Sequence, residues 1–364
     1  MREELLFVAS ARFEAARTLR ALPEGHRARH LHGHGFVASI RTSQHAVQAG
    51  YQGGEVAALR GRLEQVLAPL DYTSLNERLP EPSDDELAHW IGDRLGFAEV
   101  SRIELQSTPR SGVELDPGER VRVWRRYALQ SAHRLPHVPI GHKCSRMHGH
   151  GFEVVLCACH NAHESRTALA YDRLDTAWAP LHAALDHACL NDIPGLENPT
   201  SEVLASWIWN RLQRAMPQLS MVVVHETASC GARFDGRRYR IWKDFTLDSA
   251  RLLDKAPEGD LSRRLHGHTY TLRLHLEAPL DERMGWAMDF GEVTERFAPM
   301  FVELDHRPLH EVIGPSPDVA TLLGWIRAQT RTALPQLERI DLFETPGCGA
   351  ILAWGEEGRA AANA

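Results

Sequence analysis

Three residues carry the most chemical information in this chain: His148 and His150, separated by one residue, and His133 upstream of them. Side chains alternate along a strand, so a His-x-His pair projects from one face and both imidazoles reach the same ion. A third histidine on a strand hairpinned against the first completes a three-histidine set, the count that leaves one position of a zinc ion open. His133 is the candidate. Cys144 adds a thiol, and a thiol beside imidazoles and a metal is expected to have a lowered pKa and to shuttle protons near neutral pH. Arg134, His142, Lys143 and Arg146 offer a local basic pocket for an anionic metabolite.

The elements that position this set recur. His-Gly-His occurs at 32–34, 148–150 and 266–268, spacings of 116 and 118 residues, which is a repeat of domain size. Leu-Asp followed by an aromatic or histidine recurs as Leu70-Asp71-Tyr72, Leu185-Asp186-His187 and Leu304-Asp305-His306. A proline, a helix-capping residue and a later tryptophan recur as Pro82-Ser83 to Trp90, Pro199-Thr200 to Trp207 and Pro317-Asp318 to Trp325. Each copy closes on an apolar strand and a glycine turn, at Gly112, Gly231 and Gly349. The order within a copy reads strand, strand, helix, helix, strand, strand, an α+β unit. In the middle copy the first strands run from Val123 to Leu135 and from His148 to Ala158, and the helices from Leu174 to Leu185 and from Thr200 to Met216. The unit boundaries are placed at 1–120, 121–240 and 241–364. A four-stranded sheet has two open edges, and pairing three units edge to edge removes them, so a closed twelve-stranded antiparallel barrel with helices outside is expected.

Composition narrows the function. With 364 residues, 43% hydrophobic and 24% charged, the chain is an ordinary globular one. Six cysteines without a CxxC pair indicate neither a disulfide framework nor a thiolate zinc finger. The net charge of −7 argues against a nucleic-acid partner. Neither a signal-peptide layout nor a bilayer-length apolar run is present, so no membrane partner and a cytoplasmic location are expected.

The middle copy resembles the 6-pyruvoyltetrahydropterin synthase family, and more narrowly its bacterial 6-carboxytetrahydropterin synthase branch in queuosine and 7-deazaguanine biosynthesis. The resemblance rests on Ser131-Ala132-His133-Arg134-Leu135, on Cys144 followed after three intervening residues by His148-Gly149-His150, on Leu185-Asp186-His187, on Asn198-Pro199-Thr200-Ser201-Glu202 to Trp207, and on His225-Glu226-Thr227 to Cys230-Gly231. It implies the tunnelling fold, with this chain as a pseudo-trimer and a homodimer as the stacked pseudo-hexamer. It also implies zinc on His133, His148 and His150, Cys144 as general acid or base, an Asp-His pair that tunes it, and Glu226 as a grip on a pterin ring. The substrate implied is 7,8-dihydroneopterin triphosphate. The Asp-His pair is either Asp186-His187, of the same chain or a partner chain, or Asp305-His306 of the third copy. Glu344 stands at the register of Glu226.

The outer copies have lost part of this set. Fifteen residues before His-Gly-His, the position of His133 holds Arg17 in the first copy and Arg251 in the third. Arginine stays protonated and does not ligate zinc, so one metal per chain is expected. Ala28 and Ser262 replace the cysteine, and Ala170-Tyr171 stands where the third copy has Asp289-Phe290. Three readings remain open at this point: the carboxy-forming lyase, a pyruvoyl-forming synthase or side-chain cleavage of a related pterin, and a non-catalytic pterin-binding scaffold.

Overall fold

The computed structural model describes residues 3–96, 100–116, 118, 120–161 and 167–354; the side chain of His160 and all of His163, read from sequence as surface residues, lie outside the described residues. The first copy contributes strands β1 (Glu4–Arg17) and β2 (His32–Ser43), helices α1 (Glu55–Leu67) and α2 (Asp84–Leu95), and strands β3 (Val100–Thr108) and β4 (Ser111–Leu115). The middle copy has β5 (Arg120–His133), β6 (His148–Asn161), α3 (Thr167–Leu185), α4 (Ser201–Leu212), β7 (Leu219–Thr227) and β8 (Cys230–Phe234). The third has β9 (Tyr239–Arg251), β10 (His266–Glu277), α5 (Phe290–Leu304), α6 (Val319–Ala333), β11 (Leu337–Thr345) and β12 (Cys348–Ala353).

Every long strand pairs antiparallel with its neighbours in sequence order, and β12 returns to pair with β1 from Glu4↔Ala353 to Val8↔Gly349. The twelve strands therefore close and leave no edge among them, as the repeat predicts. Helix pairs lie on the outside. In α4 the residues Leu204, Ile208 and Leu212 are buried at helical spacing, each contributing roughly 1.5–3 kcal/mol by leaving water. Tyr127 of β5 stacks on Trp178 of α3 at 5.1 Å between ring centres. At the turn from β7 to β8, Gly231 lies against Trp242 and the Val224 carbonyl, where a Cβ has no room.

Two helix boundaries differ from the sequence expectation by more than a residue. Helix α3 begins at Thr167, well before Leu174, because Tyr171 and Thr167 dock on the first copy. Helix α4 stops at Leu212, short of Met216. Thr200 and Asp318 cap their helices by accepting from the amides of Val203 (3.2 Å) and Thr321 (2.7 Å). Ser83 occupies the same position without a capping bond from its side chain. Among the described residues no helix is long and apolar enough to cross a membrane.

The joints between copies repeat as well. The first turns of the first helix of one copy, or the segment just before it, lie over the second helix of the copy before it. Thr200 Oγ1 donates to Gly285 O at 2.5 Å, and the Ala287 amide donates to Glu202 Oε1 at 2.8 Å. Tyr171 OH donates to Asp84 Oδ2 at 2.7 Å, and Gln52 Nε2 to Asp318 Oδ2 at 2.9 Å. Each copy thus presents its conserved-register histidines at a joint with the next.

Candidate active site

The strand register builds the histidine set. In each copy the residue across the hairpin from the first histidine of His-Gly-His is the one that sequence spacing singles out: His133 opposite His148, Arg17 opposite His32, Arg251 opposite His266. In the middle copy, nitrogens of His133, His148 and His150 and a Glu226 oxygen all lie within 4.8 Å of one another. His133 Nδ1 bonds to the Pro199 carbonyl at 3.0 Å, and His148 Nδ1 to the Arg146 carbonyl at 2.8 Å. A carbonyl only accepts, so both Nδ1 atoms carry the proton and both Nε2 atoms keep a free lone pair. His133 Nε2 and His150 Nε2 are buried with no hydrogen-bond partner among the described residues. Burial lowers the pKa of both imidazoles, partly offset by Glu226, which keeps them neutral and able to donate to a metal. Three imidazoles with one adjacent carboxylate fit a divalent transition metal.

This cluster opens into a cavity of about 750 Å³ between the middle and third copies. Cys144, Lys143, Arg146 and His142 line it from the middle copy, and Lys243, Trp286 and Asp289 from the third; Arg134 does not line it. His142 accepts from the Cys144 amide at 3.2 Å through Nδ1, while its Nε2 meets Asp289 Oδ2 at 2.9 Å. The backbone at Cys144 is therefore held by a chain of contacts that crosses the joint. With no metal counted, burial and the Glu226 carboxylate push the Cys144 thiol above its usual value; the depression expected from sequence is that of a thiol beside a bound metal.

Glu226 Oε2 accepts from Ser201 Oγ at 2.5 Å, and its Oε1 stands 3.4 Å from His150 Nε2. A second carboxylate, Glu202, was missed by sequence reasoning. It is buried on the cavity wall, and desolvation raises its pKa to about 7. Its signal was present in the Asn198–Glu202 run, read there as a helix start and as part of the family resemblance, with no role given to Glu202. Lys243 was also missed, because the first strand of the third copy was not read as a wall of this cavity.

Other expected site residues lie elsewhere. Asp186 and His187 bond to each other at 2.9 Å, as do Asp305 and His306 at 2.8 Å, but neither pair lines the cavity. Both histidine side chains are more than 70% exposed. His187 and His306, like Tyr72 at the same register, adopt left-handed backbone with φ near 55°. Such a conformation in a non-glycine residue costs energy and needs holding in place; here each amide donates to a strand carbonyl, of Gln130, Asp248 and Glu14. Glu344 does not line this cavity: it stands at the register of Glu226 in the third copy, where Arg251 Nη2 takes its carboxylate at 2.5 Å. Tyr171 belongs to the cavity of the first copy, and the third copy supplies Asp289 and Phe290 to the cavity of the second. His182, read as a surface residue, is half-buried with Nε2 on the Ala128 carbonyl.

The family profile described as 6-pyruvoyl tetrahydropterin synthase matches residues 7–117, 122–237 and 240–354. The chain belongs to this family. It is similar to the 6-carboxy-5,6,7,8-tetrahydropterin synthase of Synechocystis sp., with 35% identity over 130 residues, 31% of this chain and 91% of the relative. It is also similar to the dihydroneopterin monophosphate aldolase of Pyrococcus furiosus, with 32% identity over 93 residues, 25% of this chain and 79% of the relative. Among solved structures, Caenorhabditis elegans 6-pyruvoyl tetrahydropterin synthase aligns at 15% identity and TM-score 0.29, covering 32% of this chain and 94% of that one. As a three-copy member of the family, the chain places one full histidine set, that of the middle copy, at a joint between copies.

Proposed function

We propose that the chain is a zinc-dependent lyase. It takes 7,8-dihydroneopterin triphosphate and one water to 6-carboxytetrahydropterin, acetaldehyde and triphosphate, at one site per chain and in the service of queuosine biosynthesis. The observation that carries this reading is the convergence, in one cavity, of three histidine nitrogens, the Cys144 thiol and two carboxylates. The name of the Synechocystis relative supports the product.

Zinc on His133, His148 and His150, when bound, supplies Lewis acidity at the hydroxyls of the substrate side chain. The protein's own residues do the rest. Glu226 accepts N–H bonds from the edge of the pterin ring, with Glu202 beside it on the wall, and fixes the ring's orientation. Lys143, Arg146 and Lys243 hold the triphosphate by charge. Cys144 moves a proton at the side chain, and His142 with Asp289 holds the backbone that carries it. The Asp-His pair reaches the thiol from a second copy of the chain. Leu31, Met147 and Leu265 are 72%, 54% and 59% exposed at one register of the three copies, an apolar ring that suits a stacked homodimer. Sedimentation of the purified protein then gives twice the chain mass of 40.9 kDa; a monomer removes the partner's Asp-His pair from the mechanism.

Turnover of dihydroneopterin triphosphate, with products identified by mass, tests the reading. Cys144→Ala lowers kcat roughly a hundredfold or more while pterin binding is kept, the usual scale for losing a positioned proton donor. A wild-type chain as inactive as Cys144→Ala, with pterin still bound, defeats the enzyme reading. A pyruvoyl product reassigns the reaction within the family.

A further inference from the structure

The joint between the first and second copies has lost the metal set, the thiol and the strand carboxylate, and yet a cavity of about 600 Å³ remains there. Its frame is kept in detail. His26 accepts from the Ala28 amide at 3.1 Å through Nδ1, and its Nε2 meets Asp172 Oδ2 at 2.9 Å. These are the contacts that His142 makes with Cys144 and Asp289. The joint between the third and first copies went the other way. There Tyr51 OH lies 3.3 Å from Asp260 Oδ2 and from Ser262 Oγ, and Gln52 bonds to Asp318. Side chains thus stand on the residues at the register of His142, Cys144 and Thr200. Of two degenerate joints, one is filled and the other is held open.

The open one is basic. Four arginines line it, Arg17, Arg27, Arg110 and Arg125, against two aspartates, Asp84 and Asp172. Arg17 is spent on Asp84 and Arg125 on Asp175. Arg27 and Arg110 stand exposed at the mouth and have no ion-pair partner among the described residues. Arg27 occupies the register of Lys143, and its charge has survived the loss of the metal set; Arg125, at the register of Lys243, is held by Asp175. Deeper in, Arg17 Nε and His34 Nε2 are buried without a partner among the described residues. Asp84, by contrast, is fully engaged: Oδ1 accepts from Arg17, and Oδ2 from Ser107 and Tyr171. The floor has no free carboxylate for the N–H edge of a heterocycle. What the cavity offers is donors and positive charge.

We propose that this cavity is a second ligand site, which binds an oligophosphate anion without metal and without turnover. Calorimetric titration of the purified full chain with inorganic tripolyphosphate tests it. The expected result is two sites per chain. Lys143→Ala/Lys243→Ala removes one. Arg27→Ala/Arg110→Ala removes the other, with at least a tenfold loss of affinity there. Arg27 and Arg110 are exposed, so an unchanged melting temperature certifies that the variant is folded. The proposal is overturned if Arg27→Ala/Arg110→Ala still binds two anions, or if wild type binds one and loses it with the lysines. In Lys143→Ala/Lys243→Ala, displacement of tripolyphosphate by ATP or by dihydroneopterin triphosphate supports the site and names the anion's carrier. Displacement by neither assigns the site to the free anion.

Discussion

His133→Arg takes the metal content of the chain from about one ion to none and leaves the protein folded. The outer copies have already made this change. Arg17 Nη1 donates to the Pro82 carbonyl at 2.9 Å, at the register where His133 Nδ1 meets Pro199 O at 3.0 Å. Arg251 Nη2 takes Glu344 at 2.5 Å, and Glu344 stands at the register of Glu226. A guanidinium in place of His133 therefore finds both a carbonyl and a carboxylate waiting, and the barrel tolerates its charge. It supplies no lone pair, however, and two imidazoles do not hold a catalytic metal as three do. Turnover falls roughly a thousandfold, equivalent to about 4 kcal/mol of lost transition-state stabilisation. Elemental analysis of wild type and variant decides the matter. About three ions in wild type, or one ion retained by the variant, contradicts the assignment of a single metal site to the middle copy.

The histidine set was legible in the sequence because metal chemistry is written in short spacings. A His-x-His pair on a strand and a residue fifteen positions upstream settle into one cross-strand layer whatever the helices do. The pair itself is present in all three copies, with ring centres 5.0 to 5.1 Å apart, so the pair alone does not distinguish them and the cross-strand partner does. The three-fold repeat and the closed barrel were equally legible, since strand pairing must account for every edge. Contacts across the joints were not. In sequence, Asp84 and Ser107 look like two unrelated departures from Ser201 and Glu226. In space they are one exchange, because the helix hydroxyl and strand carboxylate of the middle copy have swapped places as a strand hydroxyl and helix carboxylate. The departure at Ala170-Tyr171 reads as a defect in the middle copy, but that segment faces the first copy's cavity. The positions of Asp186-His187 and Asp305-His306 on the exposed rim likewise depend on how the helices end above the strands, which no local pattern records.

Arg17→Met costs about 3–5 kcal/mol of stability at neutral pH, the scale of stranding one partner of a buried ion pair. Arg17 and Asp84 are 5% and 1% exposed, and their atoms meet at 2.6 Å. Burial alone would raise the Asp84 pKa, but Arg17 and the hydroxyls of Ser107 and Tyr171 outweigh it and hold the carboxylate below its ordinary value. A depressed carboxylate stabilises the fold above its unfolded pKa of roughly 4 and loses that contribution as pH falls through the folded value. Without Arg17 the sign reverses: burial dominates, the carboxyl takes up a proton on folding, and acid favours the variant. The gap in denaturant midpoint between wild type and Arg17→Met is therefore widest near pH 7 and narrows toward pH 4. Arg17→Met/Asp84→Leu recovers most of the loss, since two apolar groups of similar volume leave no charge unpaired. A gap that stays constant with pH, or a double variant as weak as the single one, shows that Arg17 acts through packing on Phe36, 5.1 Å from its guanidinium carbon, rather than through charge. The guanidinium then fills space left by a histidine; in the outcome expected here, it holds a buried carboxylate ionised where the middle copy gathers its three histidines.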